Sequence, residues 1–235
     1  MRWGWQHDTA AWGFERSLVG VAGILGGCAL FSGNSYRFKM TVVVETPQGL
    51  KTGSSVMQVT AYKTAALTPE EKQGGGGLSG QAVVVDLPDG PLFVLLKMPR
   101  GGDGLGAAVT LALLPETLRG NVDAYVTAVK TLGGWFADYK AELPRKDWPM
   151  MVRFRNINDP KSVEKLDPKA VGVKRILVET TNDPITIDIE KRMPDWFGRL
   201  IRDRVQFSGK PSNIIMSNDL ADNLGPGDFG TEIGK

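Results

Sequence analysis

The 235-residue chain carries 28 basic and 26 acidic side chains, a formal net charge of +2, with 42% hydrophobic and 23% charged residues. Such a composition builds one domain of generous size with a real core, and it excludes a chain disordered throughout. With no basic stripe interleaved with aromatics, it carries no electrostatic footprint for nucleic acid. A single cysteine, Cys28, and a single histidine, His7, exclude an internal disulfide and a four-cysteine metal site. If the chain is cut ahead of Cys28, the remainder holds no imidazole. Ser-His-Asp triads, Cys-His dyads and histidine-ligated zinc then drop out together.

Residues 17–31 are uncharged and mostly apolar, with Arg16 directly before them. The run is shorter than the ~20 residues of a spanning helix and fits the ~7–15 of a signal-peptide core. Gly26 and Gly27 are the small residues directly before Cys28. The region ahead of Arg16 holds Asp8, Glu15, Trp3, Trp5 and Trp12, longer and less basic than a typical leader, as a start codon set too far upstream would give. The expected organisation is a signal peptide over 1–27, a lipidated tether over 28–35, a domain over 36–207 and a mobile or surface-lying tail over 208–235; the alternatives for the apolar run are an uncleaved membrane anchor and a buried helix with an incidental cysteine.

From Tyr36 the pattern alternates. Tyr36, Phe38, Met40, Val42 and Val44 share one face and Arg37, Lys39, Thr41 and Glu45 the other, which predicts a half-buried strand. Pro47-Gln48-Gly49 marks a turn, and residues 54–63 predict a second strand that closes a hairpin. Residues 68–80 read as a flexible loop, because the run Gly74–Gly77 loses much backbone entropy on ordering. That run is not a phosphate loop, since no lysine and hydroxyl residue follow it. Residues 81–87 and 91–98 predict two strands around an Asp89-Gly90 turn. The second is apolar on both faces and therefore central. Residues 99–106 form a glycine-rich connection without dinucleotide spacing.

Residues 107–114 fit a strand or a short buried helix. Residues 115–132 predict a long helix, with Leu118, Val122, Tyr125, Val126, Val129 and Leu132 at helical spacing and Gly133-Gly134 ending it. One or two further turns are expected over 135–143. Strands are expected over 148–154 and 173–180, with a seventh allowed over 184–189. An amphipathic helix is expected over 194–205. The fold class that follows is α+β: a mainly antiparallel sheet of about six strands with one long helix and one or two short helices packed on it.

Candidate chemistry is sparse. Asn158-Asp159-Pro160 and Asn182-Asp183-Pro184 each follow an expected strand. Such tripeptides build turns. Alternatively, they bring Asp159 and Asp183 together as a carboxylate pair or cation site. Ser54 or Ser55 with Lys51 or Lys63 lacks the spacing of a Ser-Lys dyad. Trp135, Trp148 and Trp196 either line a groove or serve as core and rim aromatics. No cofactor or metal motif is present.

Leu25-Gly26-Gly27-Cys28 resembles the bacterial lipobox, which implies cleavage before Cys28 and acylation of its thiol. Ala29, where an aspartate would retain the protein at the inner membrane, implies sorting to the outer membrane of a Gram-negative cell. Residues 154–163 (Phe-Arg-Asn-Ile-Asn-Asp-Pro-Lys-Ser-Val) and 47–56 (Pro-Gln-Gly-Leu-Lys-Thr-Gly-Ser-Ser-Val), with Asp167-Pro168 and the Val173 strand, resemble a family of uncharacterised proteobacterial lipoprotein-like proteins. The resemblance covers most of residues 36–193 and carries no activity. It implies only one bacterial domain; the lipobox and the lack of catalytic groups give the expectation of an envelope lipoprotein on the periplasmic face of the outer membrane, with a non-enzymatic binding or structural role. The expected partners are the membrane, through the lipid anchor, and an envelope protein, with no nucleic acid and no cofactor. The alternatives are a carboxylate- or cation-dependent hydrolase using Asp159 and Asp183, and a prophage-encoded surface protein.

Overall fold

A computed structural model describes residues 34–63, 74–100, 104–115, 122–211 and 217–231. The chain divides into two units, Met1–Ser32 and Gly33–Lys235, and every described residue belongs to the second. The expected signal peptide, Cys28 and most of the tether lie outside the described residues, as does the expected helix start over 116–121.

The chain runs β1 (Asn34–Thr46), β2 (Gly49–Lys63), β3 (Gly74–Ser79), β4 (Val83–Leu87), β5 (Gly90–Val94), α1 (Leu105–Leu113), α2 (Val122–Leu132), β6 (Lys140–Glu142), β7 (Met151–Phe154), β8 (Val163–Lys165), β9 (Val173–Thr180), α3 (Asp195–Asp203) and α4 (Leu220–Asn223). The class is α+β and all pairings are antiparallel. The strands divide between two sheets, one of five in the order β3-β2-β1-β9-β6 and one of four in the order β4-β5-β7-β8. A period of two specifies which side of a strand is buried but not which sheet it joins, so the division was not visible beforehand.

The inward face of β1 is as the alternation demands: Tyr36, Phe38, Met40, Val42 and Val44 are all buried. They meet Met57 and Val59 of β2, Ile176 and Val178 of β9, and Val85, Leu92 and Val94 of the second sheet in one core. The sheets approach closely at Gly53, where a Cβ would sit 2.0 Å from the Val84 carbonyl oxygen, so only glycine fits. β5 is central and apolar on both faces because it serves two cores. Leu92 and Val94 point into the first, while Phe93 and Leu95 point into a second. α1 is the helical reading of 107–114, with Leu105, Val109 and Leu113 on its buried side at a spacing of four.

The second core lies on the far side of the four-stranded sheet and is largely aromatic. Phe93, Phe154, Trp196, Phe207 and Phe229 pack at centroid distances of 5.3 to 6.1 Å, mostly edge to face or tilted. Phe229 belongs to the segment expected to be mobile or surface-lying. Instead, residues 217–231 close this core: Ala82 N–H donates to the Phe229 carbonyl at 2.8 Å and Leu96 N–H to that of Asp228 at 3.0 Å. The segment folds because Leu224 and Phe229, both fully buried, each remove large apolar surface from water. The domain therefore runs beyond Phe207.

Asp222 of α4 pins this segment. Its carboxylate is buried and pairs with Lys210 Nζ at 2.9 Å. Hydrogen bonds from Ser208, then Lys210 and Ser217, hold its pKa down to about 2.

Two further expectations change. The glycines expected to be a loop form β3, which pairs with β2 from Gln58↔Ser79 to Lys63↔Gly74. Their missing side chains make room for rings: a Cβ on Gly75 would meet the Tyr62 hydroxyl at 2.6 Å, and one on Gly76 the Tyr125 ring at 3.3 Å. Packing of this kind offsets the backbone entropy that argued for a loop. Residues 184–188 form no strand. Thr186 crosses β2 instead, accepting from Val56 N–H through its hydroxyl at 2.8 Å and donating its own N–H to the Val56 carbonyl at 3.0 Å. A side chain thus takes one bond of what would have been a ladder.

Candidate functional site

A cleft of about 560 Å³ runs along the glycine strand. Gly76 and Gly77 of β3 form one wall, α1 at Gly106 and α2 at Tyr125 another, and Lys97 and Asp228 the third. β3 is the edge of its sheet. Its backbone therefore faces the cleft without side chains to cover it.

Lys97 stands at the end of the apolar run that includes β5. A half-buried amine needs a partner, and the tail supplies it: Lys97 Nζ lies 3.1 Å from Asp228 Oδ1 and donates to the Asn223 carbonyl at 2.8 Å. The other Asp228 oxygen accepts from Gly225 N–H at 2.9 Å. Ion pair and tail are thus one unit, and the cleft wall exists only when the tail is docked.

Behind the α1 wall at Gly106 lies a buried chain of hydroxyls. Thr110 Oγ1 donates to the Gly106 carbonyl at 2.7 Å, so the Tyr36 hydroxyl, 2.8 Å from Thr110 Oγ1, is the donor in that pair. Burial pushes the phenol pKa values of Tyr36 and Tyr125 up, against a lowering contribution from Thr110. Both phenols are therefore neutral donors at physiological pH. The cleft can present main-chain groups, the Tyr125 phenol and an ion-paired lysine to a ligand, an arrangement suited to binding through hydrogen bonds.

The residues singled out from the sequence have other surroundings. Asp159 is exposed, and its Oδ1 accepts from Lys161 N–H at 3.0 Å, capping a short 3₁₀ turn between β7 and β8. Asp183 is exposed in the segment after β9. Its N–H donates to Thr181 Oγ1 at 3.1 Å and its carbonyl accepts from Arg37 at 3.2 Å. The two belong to loops of different sheets, and no interaction joins them among the described residues. Groups of three or more His, Cys, Asp or Glu able to hold a metal ion are also absent among the described residues.

The three tryptophans do not share a groove. Trp148 is buried in the first core with Nε1 donating to the Leu143 carbonyl at 2.8 Å, and Trp196 lies in the second core, donating to Ile157 at 2.8 Å. Trp135 is 85% exposed. Ser55 is buried and donates to the Gln81 carbonyl at 2.9 Å, a stitch between strands.

Sequence reasoning missed Lys97, Tyr125 and Asp228. A lone lysine inside a long apolar run was the available signal for the first, since such a charge requires a counter-ion somewhere in the fold. Comparison of the chain with protein-family models, curated proteins and solved structures finds no match.

Proposed function

We propose that this chain is a lipid-anchored bacterial envelope protein whose domain binds a partner at the membrane surface, on the periplasmic face of the outer membrane, without catalysis. The observation that carries the reading is Leu25-Gly26-Gly27-Cys28 at the end of a short apolar run, a few residues before β1 begins at Asn34. A thiol in that setting is an acyl acceptor, and two or more acyl chains hold a protein firmly to a bilayer.

The cleft supports the binding half of the proposal. An edge strand of glycines lets an extended polypeptide be held through main-chain hydrogen bonds with little demand on its side chains. Its charged side chains are already engaged, Lys97 with Asp228, which suits recognition through main-chain groups.

Metabolic labelling with a fatty-acid analogue tests the anchor. The wild-type chain is expected to take the label and fractionate with membranes, and Cys28→Ala to lose the label and appear in the soluble fraction. Equal labelling of both would remove Cys28 from the proposal.

A further inference from the structure

The least expected surface feature lies between α2 and β6. Gly133-Gly134-Trp135-Phe136-Ala137 makes a tight turn closed by Ala137 N–H donating to the Gly134 carbonyl at 3.0 Å. Trp135 and Phe136 occupy its two central positions and are 85% and 92% exposed. Central turn positions normally carry glycine, proline or small polar residues. Two large rings held there in water are unfavourable to the isolated domain.

The turn is rigidly held. On one side Gly133 N–H donates to the Val129 carbonyl of α2 at 3.0 Å. On the other, Thr180 Oγ1 donates to the Ala137 carbonyl at 2.9 Å and accepts from Tyr139 N–H at 3.0 Å. Gly133 also lies against the start of β1, so closely that a Cβ there would be 2.3 Å from the Ser35 carbonyl oxygen. The rings therefore project from the end of the fold at which β1 begins. The opposite end of β1 is the Thr46–Gly49 hairpin, more than ~35 Å away at the rise of a strand.

That position matters because of the chain ahead of it. About seven residues separate Cys28 from Ser35, and a tether of that length reaches no more than ~25 Å. An acylated Cys28 would keep Ser35, and the turn beside it, within that distance of the lipid surface. We infer that Trp135 and Phe136 are a second membrane contact, two rings that enter the bilayer interface and fix the orientation of the domain on its anchor. The inference rests on the anchored reading proposed above. The occupant is lipid because aromatic side chains favour the boundary between headgroups and acyl chains. Nearby charges are mixed, with Lys140 3.6 Å from both Asp138 and Glu179. Partition of apolar rings, and not attraction to anionic headgroups, is therefore the driving force. In this posture the Leu50 hairpin tip faces away from the membrane.

The test uses the full chain and phosphatidylcholine vesicles with brominated acyl chains, which quench nearby indoles. Five proteins are compared: wild type, Trp135→Phe, Trp135→Ser/Phe136→Ser, the last combined with Cys28→Ala, and Cys28→Ala alone. Bromine is expected to quench a component of the emission that disappears in Trp135→Phe, while that variant still binds. Within the Cys28→Ala background, the double serine variant is expected to partition roughly tenfold more weakly, with little change in high salt. Its melting temperature should match its parent, because both side chains are solvent-facing.

Identical quenching with and without Trp135, together with unchanged partition, would overturn the inference. Failure of the anchor is read separately. An unlabelled Cys28 with Trp135 still quenched removes the tether and leaves the aromatic contact standing, whereas a labelled Cys28 with Trp135 unquenched removes the contact alone.

Discussion

The two cores of the molecule differ in chemistry and in how they are closed. The first, between the sheets, is built mainly of valine, leucine, isoleucine and methionine, much of it from strands with an alternating pattern such as β1, with α1 and α2 sealing it. The second is a cluster of phenylalanines and Trp196, covered by α3 and the C-terminal segment. Periodic strands make a core that each strand announces for itself. An aromatic cluster gathered from β5, β7, α3 and the tail exists only after distant segments have met, and so depends on its last contributor.

The sharpest way to break this contrast is to remove that contributor. A chain ending at Gly209 loses Leu224 and Phe229, each worth ~1.5–3 kcal/mol of burial, and the cover over the other rings. The expected outcome is loss of about 5 kcal/mol in denaturant unfolding, comparable with the whole stability of a small domain. Survival of a full-strength cooperative transition would show that the tail is an ornament.

Phe154→Ala acts at the centre of the second core, where the ring touches Phe93, Trp196, Phe207 and Phe229. A loss of about 3–5 kcal/mol is expected. Gly53→Ala strikes the first core instead. Its methyl would collide with backbone, the Val84 carbonyl, so the sheets must part, at a cost of about 1–3 kcal/mol. Both are read from unfolding midpoints at constant m-value.

Acid offers a finer probe of the tail. The Asp222 pKa is lowered to about 2 in the folded protein, below its unfolded value near 3.8. The folded state therefore binds protons less readily, and the carboxylate contributes stability above pH ~4. That contribution is lost as pH falls from ~4 towards ~2. The melting temperature of the wild type should drop across that window more steeply than that of Asp222→Asn. Parallel profiles would mean that the Ser208, Lys210 and Ser217 contacts do not stabilise the charged form. The smallest effect is expected at Trp135→Ser/Phe136→Ser, within about 0.5 kcal/mol of wild type, since neither ring belongs to a core.

The same contrast explains what the sequence revealed. β9 occupies the expected residues 173–180, and β1 buries the expected face, because alternation is a local property that survives tertiary packing. The two-faced apolarity of residues 91–98 identified a central strand, of which β5 takes Gly90–Val94. The glycines of β3 misled because the stabilising rings, Tyr62 and Tyr125, lie on other elements. The cleft was illegible for a related reason: Lys97 and Asp228 are 131 residues apart in the numbering, and each becomes meaningful only beside the other. Asp159 and Asp183 drew notice by repetition, yet their observed bonds are those of turn residues.

Intact-mass spectrometry of the native protein extracted from membranes tests the anchored reading most directly. The account predicts a chain whose first residue is Cys28, heavier than its sequence by the mass of its acyl groups. A chain that still begins at Met1 and carries a free Cys28 thiol would contradict it.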